Sequence, residues 1–338
     1  MITEILDGVT IIKMLFGKGK LVDKREERVI FDMIYSASPE LQVEELERPD
    51  FVVFGLDRSV GVEVTELYRH PVDAKMSKVP NYTLGLLNET QAIHRKDREY
   101  IKVDQVELKD ENGQSQGKPM AIITEMPSIK ERVELLMEVI KSKEQKARGY
   151  KEKCDLVDLV ILDASSLFMH NSFDEFFKPF WIMCDNGLIK NSSFREIFLI
   201  SSECDNRSVA IPLRANLFLA DCFAFESFIN DAKLKEKESL KPLDVLLASL
   251  YMSGHQDIRI SGGTDNFSLH YGAWELLYSD EGKCIRDRTL VSEDFEFELL
   301  REIYGRFSNE VVSEAENFLG KRKGVYAAIS LSFPVRAK

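Results

Sequence analysis

The pattern of apolar and polar positions is clearest over residues 48–69, RPDFVVFGLDRSVGVEVTELYR, where two apolar runs flank a short polar break. Alternation of this kind is typical of β-strands. The polar break between the runs predicts an antiparallel hairpin with strands at 50–54 and 61–67. The simplest connection is a two-residue turn at Asp57–Arg58.

This hairpin would carry acids on one of its faces. Side chains alternate across a strand, so Asp50, Glu63 and Thr65 share a face in this register. Asp50 and Glu63 would be diagonal neighbours about 7–8 Å apart. Two carboxylates this close repel each other, and a divalent cation between them removes the repulsion. The opposite, core-facing side would carry apolar residues, namely Phe51, Val53, Val62 and Val64.

Helical spacing of apolar residues appears in three segments of the first half of the chain. Residues 21–36 predict a helix that carries Glu26 and Glu27. Residues 81–101 predict a second helix, which becomes basic toward its end. Residues 128–153 predict a long helix, opened by a capping box of Ser128 and Glu131. Its buried stripe consists of Ile129, Val133, Leu136, Met137 and Ile140.

Compact apolar runs at 155–163 and 194–201 predict strands covered on both faces. The order of elements predicts an α/β fold, a mixed-sheet sandwich. The pattern then changes to helices over 215–251, short strands over 256–278 and a helix over 291–319. We therefore expect a first domain at 1–213 and a C-terminal α+β domain at 214–338.

Composition narrows the class of protein. With 44% hydrophobic and 30% charged residues among 338, the chain is expected to fold. Its five cysteines have no CxxC or zinc spacing, which predicts reduced thiols. The start of the chain lacks the features of a signal peptide, and no apolar run is long enough to span a membrane, so a cytoplasmic protein is expected. A net charge of −12 argues against a nucleic-acid coat protein but suits an enzyme whose site gathers acids.

The acidic hairpin resembles the core of the PD-(D/E)XK nuclease superfamily. Pro49-Asp50 matches the PD dipeptide, Glu63 matches the second acid, and Glu26 or Glu27 would supply the upstream helical acid. The segment IKSKEQKARGY and the following CDLVDLVILD are similar to the basic helix and central strand of defence-type members. The resemblance covers residues 20–205. It implies a restriction-endonuclease-like fold.

The same resemblance implies a Mg²⁺ (or Mn²⁺) site formed by Asp50, Glu63 and Glu27, at which water attacks a phosphodiester bond. The sequence departs from the motif at Thr65, which stands where the family has a lysine. The lysine role would then fall to Thr65 itself or move to Lys75 or Lys78. Gln91 is a further candidate for positioning a water or a phosphate. A member of the family that has lost its activity, and a protein whose likeness to nucleases is accidental, are the alternatives.

A basic row on the 128–153 helix suits a nucleic-acid backbone. Lys143, Lys146 and Tyr150 lie at i, i+3 and i+7 and share one face. Lysines beside a tyrosine can bind phosphates and stack on a base, whereas a solvated helix end is the plain alternative. The expected partner is nucleic acid, with DNA as the expected kind and antiviral defence as the implied setting. The C-terminal domain would recognise substrate, a partner protein or another copy of the chain.

Overall fold

The structure is a computed structural model. It describes residues 2–6, 9–13, 24–35, 42–55, 58–168, 180–184, 186–202, 208–234, 240–262, 266–279, 282–287, 297–322 and 331–335. The proposed turn residue Asp57 and the cysteine Cys204 lie outside this part of the chain. Among the described residues, no helix has the length and apolar character needed to cross a membrane.

Helices and strands alternate along the chain. The helices are α1 (Lys24–Ile34), α2 (Pro71–Lys78), α3 (Tyr82–Leu87), α4 (Ile129–Ala147), α5 (Asn186–Lys190), α6 (Leu213–Asp231), α7 (Pro242–Met252), α8 (Leu300–Tyr304) and α9 (Asn309–Arg322), with a 3-10 helix at Arg148–Glu152. The strands are β1 (Ile2–Leu6), β2 (Val9–Lys13), β3 (Gln42–Glu45), β4 (Phe51–Phe54), β5 (Ser59–Leu67), β6 (Lys102–Gln105), β7 (Leu108–Lys109), β8 (Ser115–Gly117), β9 (Met120–Ile123), β10 (Leu156–Asp163), β11 (Ile197–Ser202), β12 (Ser208–Pro212), β13 (Arg259–Gly262), β14 (Phe267–Tyr271), β15 (Trp274–Ser279), β16 (Gly282–Asp287), β17 (Glu298–Leu299) and β18 (Phe333–Pro334).

The main sheet has seven strands in the order β18-β12-β11-β10-β5-β4-β3. Its centre is parallel, because β10 runs alongside both β5 and β11 in the same direction. The outer pairs are antiparallel. The protein is therefore mixed α/β with a mixed sheet, as the order of elements predicts.

The hairpin of β4 and β5 forms as predicted, in a different register. Phe51 pairs with Val62 and Phe54 with Ser59, and the Gly55 N–H donates to the Arg58 carbonyl oxygen at 2.8 Å, a pairing that the expected turn at Asp57–Arg58 does not allow. The register is shifted by two residues from the expected one. Because the side-chain period is also two, the shift leaves every residue on its predicted face.

Helices cover both faces of this sheet. Ile30 and Phe31 of α1 pack against Phe51, Val53 and Val62 on one face. Three residues of the predicted stripe of α4 lie in the core of the other face, where Val52, Leu159 and Ile161 also lie, namely Val133, Leu136 and Ile140.

The capping box at the start of α4 is confirmed. The backbone N–H and hydroxyl of Ser128 both donate to Glu131 Oε2, at 2.7 and 2.8 Å. This reciprocal cap fixes the first turn of the helix that carries Lys143.

An insertion, residues 71–126, lies between β5 and α4. It contains α2, α3, and the pairs β6–β9 and β7–β8. Its small apolar core consists of Val72, Met76, Tyr82, Leu86 and Ile101. The single helix predicted at 81–101 is wrong: α3 ends at Leu87, and turns occupy residues 95–100. Gln91 consequently lies outside any helix.

The C-terminal half contains helices α6 and α7 and a five-stranded sheet in the order β16-β15-β14-β13-β17. Helix α6 starts at Leu213, beside the expected domain boundary. Leu213 and Leu217 pack into the core of the main sheet, whereas Phe218 and Phe225 pack into the C-terminal core. Strand β18 returns to the main sheet, so both ends of the C-terminal half contact the first unit.

Candidate functional site

Asp50 and Glu63 come together at the start of the hairpin. Continuing the β4–β5 register by one residue places Asp50 opposite Glu63, closer than the diagonal arrangement expected. Asp50 Oδ2 accepts a hydrogen bond from the Val64 backbone N–H at 2.8 Å. Both acids are buried. The carboxylates are thus held by the strands themselves.

Glycine at position 61 allows this close packing. A Cβ there would lie 2.6 Å from Cys154 Sγ and 2.8 Å from Pro49 Cγ, distances that real Cβ atoms do not show. Pro49 can therefore pack directly onto β5 and bring the adjoining Asp50 against it.

Helix α1 brings a third acid. Lys24 Nζ lies 3.3 Å from Glu27 Oε2 and 3.9 Å from Asp50 Oδ1. It also donates to the Leu46 carbonyl oxygen at 2.5 Å. Of the two candidate helical acids, Glu27 lies with Asp50 around the ammonium group of Lys24, whereas Glu26 is exposed.

Helix α4 brings a second lysine. Lys143 Nζ donates to Glu63 Oε1 at 2.7 Å, and only 16% and 7% of the two side chains are exposed. Glu63 Oε2 is buried without a hydrogen bond. Helix α4 therefore places an ammonium group at Glu63, whereas Thr65 on β5 carries no charge.

The charges of the acids act on their neighbours. Burial raises the pKa of Asp50 to about 6. The bond from Val64 opposes this rise, and the charges of Glu63 and Glu27 add to it. Burial, followed by the charge of Glu63, raises the pKa of Tyr150. Glu27, Asp50, Glu63 and Tyr150 thus form one electrostatic cluster.

This donor set suits a hard divalent cation in its chemistry. Carboxylate oxygens are the ligands that Mg²⁺ prefers. Glu63 Oε2 and Glu27 Oε2 are buried and accept no hydrogen bond, although Glu27 Oε2 forms an ion pair with Lys24, which a metal ion would have to displace. In the conformation described, no three His, Cys, Asp or Glu side chains converge on one metal position within the described ranges. The lysine ammonium groups supply the positive charge instead.

The other candidates from the sequence lie apart from this cluster. Thr65 is two residues beyond Glu63 on the same face of β5 and is half-buried. Lys75 pairs with Asp97 at 2.8 Å, and Lys78 pairs with Glu66. Gln91 is exposed and packs beside Gly85 of α3. The described contacts of Lys75, Lys78 and Gln91 include neither Asp50 nor Glu63.

The predicted nucleic-acid face divides into buried and exposed parts. Tyr150 is only 4% exposed and belongs to the core under α4, so its ring offers almost no surface for stacking. Lys143 points inward to Glu63. Lys146 alone of the three is exposed to solvent. The single helix predicted over 128–153 is wrong beyond Ala147, where α4 ends, and Tyr150 lies in the 3-10 helix that follows, so the three residues do not share one α-helical face.

Sequence reasoning did not assign Lys143 to Glu63 or Lys24 to Asp50. Both lysines lie in segments that the spacing of apolar residues predicts as helices. Their contacts depend on how α1 and α4 pack on the sheet, which that spacing does not predict. The signal available in the sequence was a lysine on each helix predicted to flank the acidic hairpin. Comparison with known proteins adds no assignment: no family model, no curated protein and no solved structure matches the chain.

Proposed function

We propose that this chain is a metal-dependent nuclease of the PD-(D/E)XK type, which hydrolyses phosphodiester bonds of nucleic acid on a restriction-endonuclease-like core. The observation that carries the proposal is the Lys143–Glu63 contact beside Asp50 and Glu27. An acid, a second acid and a lysine are the groups that the motif requires, and here the lysine comes from α4.

Each residue of the site would have a separate role in hydrolysis. Asp50 and Glu63 would hold Mg²⁺ or Mn²⁺, with Glu27 as a further ligand or a base for an outer water. When bound, the cation would polarise the phosphoryl oxygen and lower the pKa of an attacking water. Lys143, released from Glu63, would place an ammonium group at the phosphate. A hydroxyl at Thr65 could only donate or accept a hydrogen bond and could not replace that charge.

A cleavage assay tests the proposal. End-labelled single-stranded DNA, duplex DNA and RNA are incubated with the protein in Mg²⁺, in Mn²⁺ and in EDTA. We expect cleavage that needs the cation and disappears in Glu63→Gln, which keeps the shape of the side chain but not its charge. Equal cleavage by the parent and Glu63→Gln would refute the assignment of the site.

The second candidate is a nuclease-fold protein without activity, which binds nucleic acid or a partner protein. Two observations favour it: Lys143 already neutralises Glu63, and the raised pKa of Asp50 weakens its charge near pH 6. The two candidates differ in metal binding, which only the first requires. A defence role, cytoplasmic location and recognition through residues 214–338 remain predictions from the resemblance.

A further inference from the structure

A turn in the insertion presents a row of cations. Over residues 94–100, HRKDREY, the side chains of Arg95, Lys96 and Arg98 are exposed, against one exposed acid, Glu99. The exposed side chains of this turn are therefore net positive in a chain whose net charge is −12. We call residues 94–100 the basic turn.

The acid within the basic turn points inward. Asp97 is buried, and its carboxylate accepts from Lys75 Nζ at 2.8 and 3.0 Å and from the Tyr82 hydroxyl at 3.3 Å. Its backbone carbonyl accepts from the N–H groups of Tyr100 and Ile101, at 3.0 and 3.1 Å. The buried Asp97 therefore stabilises the turn from its inner side, and the arginines and Lys96 stay exposed to solvent. This contact gives Lys75 a structural task distinct from the catalytic one considered above.

An aromatic stack ends the basic turn. The rings of Tyr100 and His70 lie 3.4 Å apart between centroids, with an angle of 18° between their planes. Tyr100 is 47% exposed. His70 is fixed in turn, because its Nδ1 accepts from the Val72 N–H at the start of α2. The stack is thus a rigid platform with an open surface.

We propose that the basic turn and the His70–Tyr100 stack bind a single-stranded segment of nucleic acid. Rows of cations track the phosphate backbone, and an exposed ring stacks on a base that is not paired in a duplex. His70 lies three residues after Leu67, the last residue of β5, and Leu67 is four residues or about 13 Å along the strand from Glu63. A single strand of nucleic acid bound on the platform would lead toward the acids along β5, so the inference deepens the proposed nuclease and rests on it for the link to cleavage.

Fluorescence anisotropy in EDTA tests the surface without needing cleavage. The probes are labelled single-stranded DNA, single-stranded RNA and duplex DNA of about 20 nucleotides. This length exceeds the binding site of a typical single-strand-binding fold. The triple variant Arg95→Ala, Lys96→Ala, Arg98→Ala should bind single strands more weakly. Its slope of log affinity against log salt should fall by about 2, as expected for three lost phosphate contacts. The DNA and RNA arms show which strand the surface prefers.

A matched control removes equal charge elsewhere. The variant Lys109→Ala, Lys118→Ala, Lys130→Ala also alters three exposed cations and should keep the parent's salt slope. Tyr100→Ala should bind single strands about 5- to 150-fold more weakly, whereas Tyr100→Phe should bind as the parent does. Equal losses in the two triple variants, no binding by the parent, or equal affinity for single strands and duplex would overturn the inference.

The same data separate this inference from the proposed nuclease. A parent that binds single strands through the basic turn but cuts nothing in Mg²⁺ or Mn²⁺ contradicts the nuclease and supports the surface. A parent that cuts, with both triple variants binding and cutting normally, supports the nuclease and contradicts the surface.

Discussion

Replacement of Lys143 by methionine is the perturbation that probes the site most sharply. Methionine keeps an unbranched apolar side chain of similar length and removes the ammonium group. At 2.7 Å and an effective dielectric constant of 20, the direct attraction between Lys143 and Glu63 is about 6 kcal/mol. Desolvation of both groups offsets part of this attraction.

The net loss is governed by the acid that stays behind. Breaking a buried ion pair at one partner costs about 3–5 kcal/mol, because the other charge is left uncompensated. Glu63 already has one oxygen without a hydrogen bond and lies beside Asp50. Since 16% of the Lys143 side chain is exposed to water, we expect the lower end of that range, about 3 kcal/mol.

Urea unfolding in EDTA, followed by circular dichroism, measures this loss. The exposed neighbour Lys146 supplies the control, since Lys146→Met should change the free energy of unfolding by no more than about 0.5 kcal/mol. A double-mutant cycle with Glu63→Gln should give a coupling of about 2–3 kcal/mol, because neutralising the acid removes the reason for the loss. Equal effects of Lys143→Met and Lys146→Met, or full additivity with Glu63→Gln, would refute the ion pair.

The cleavage rate of Lys143→Met tests a catalytic role for the same lysine. If Lys143 supplies the charge at the phosphate, Lys143→Met should slow cleavage by about 10²–10³, as for a lost transition-state donor. Lys146→Met should stay within a few-fold of the parent. A fully active Lys143→Met would leave the lysine with a structural role only.

Three further outcomes are expected. The raised pKa of Asp50 means that the folded protein holds more protons than the unfolded chain between about pH 4 and 6. The free energy of unfolding should therefore fall as pH rises through that window, and Asp50→Asn should flatten this fall in urea titrations. An Asp50→Asn variant with the parent's pH profile would contradict this expectation. Thr65→Val should keep most of the cleavage rate because Lys143 supplies the charge, and a loss comparable with Lys143→Met would reassign the role to the hydroxyl. Asp221 pairs with Lys190 at 2.6 Å and Arg322 at 2.8 Å, so Asp221→Asn should cost about 3–5 kcal/mol in urea unfolding at neutral pH, and a loss under 1 kcal/mol would contradict this.

Local patterns predicted the parts of the fold that depend on neighbours in sequence. Alternation in 48–69 identified the hairpin and its two faces, and a register error of two residues did no harm because the strand period is two. Ser128 and Glu131 also predicted the start of α4, because the hydrogen bonds of a capping box join residues within one helical turn.

Contacts between distant segments were beyond the sequence. Lys143 lies on α4 and Tyr150 on the 3-10 helix that follows it, and only the docking of these helices on the sheet brings both residues to Glu63. The segment 81–101 has helical composition, yet α3 ends at Leu87, and Asp97 further along pairs with Lys75 of α2. Both ion pairs join segments that are far apart in sequence, which single-sequence spacing does not encode.

Isothermal titration of Mn²⁺ at neutral pH into the parent and into Glu63→Gln tests whether Glu27, Asp50 and Glu63 form a divalent-cation site. We expect saturable binding to the parent that Glu63→Gln abolishes, with affinity that weakens as pH falls below 6, where the proton competes for Asp50. A parent that folds and binds no Mn²⁺, or a Glu63→Gln variant that binds Mn²⁺ as well as the parent does, would contradict the proposed site.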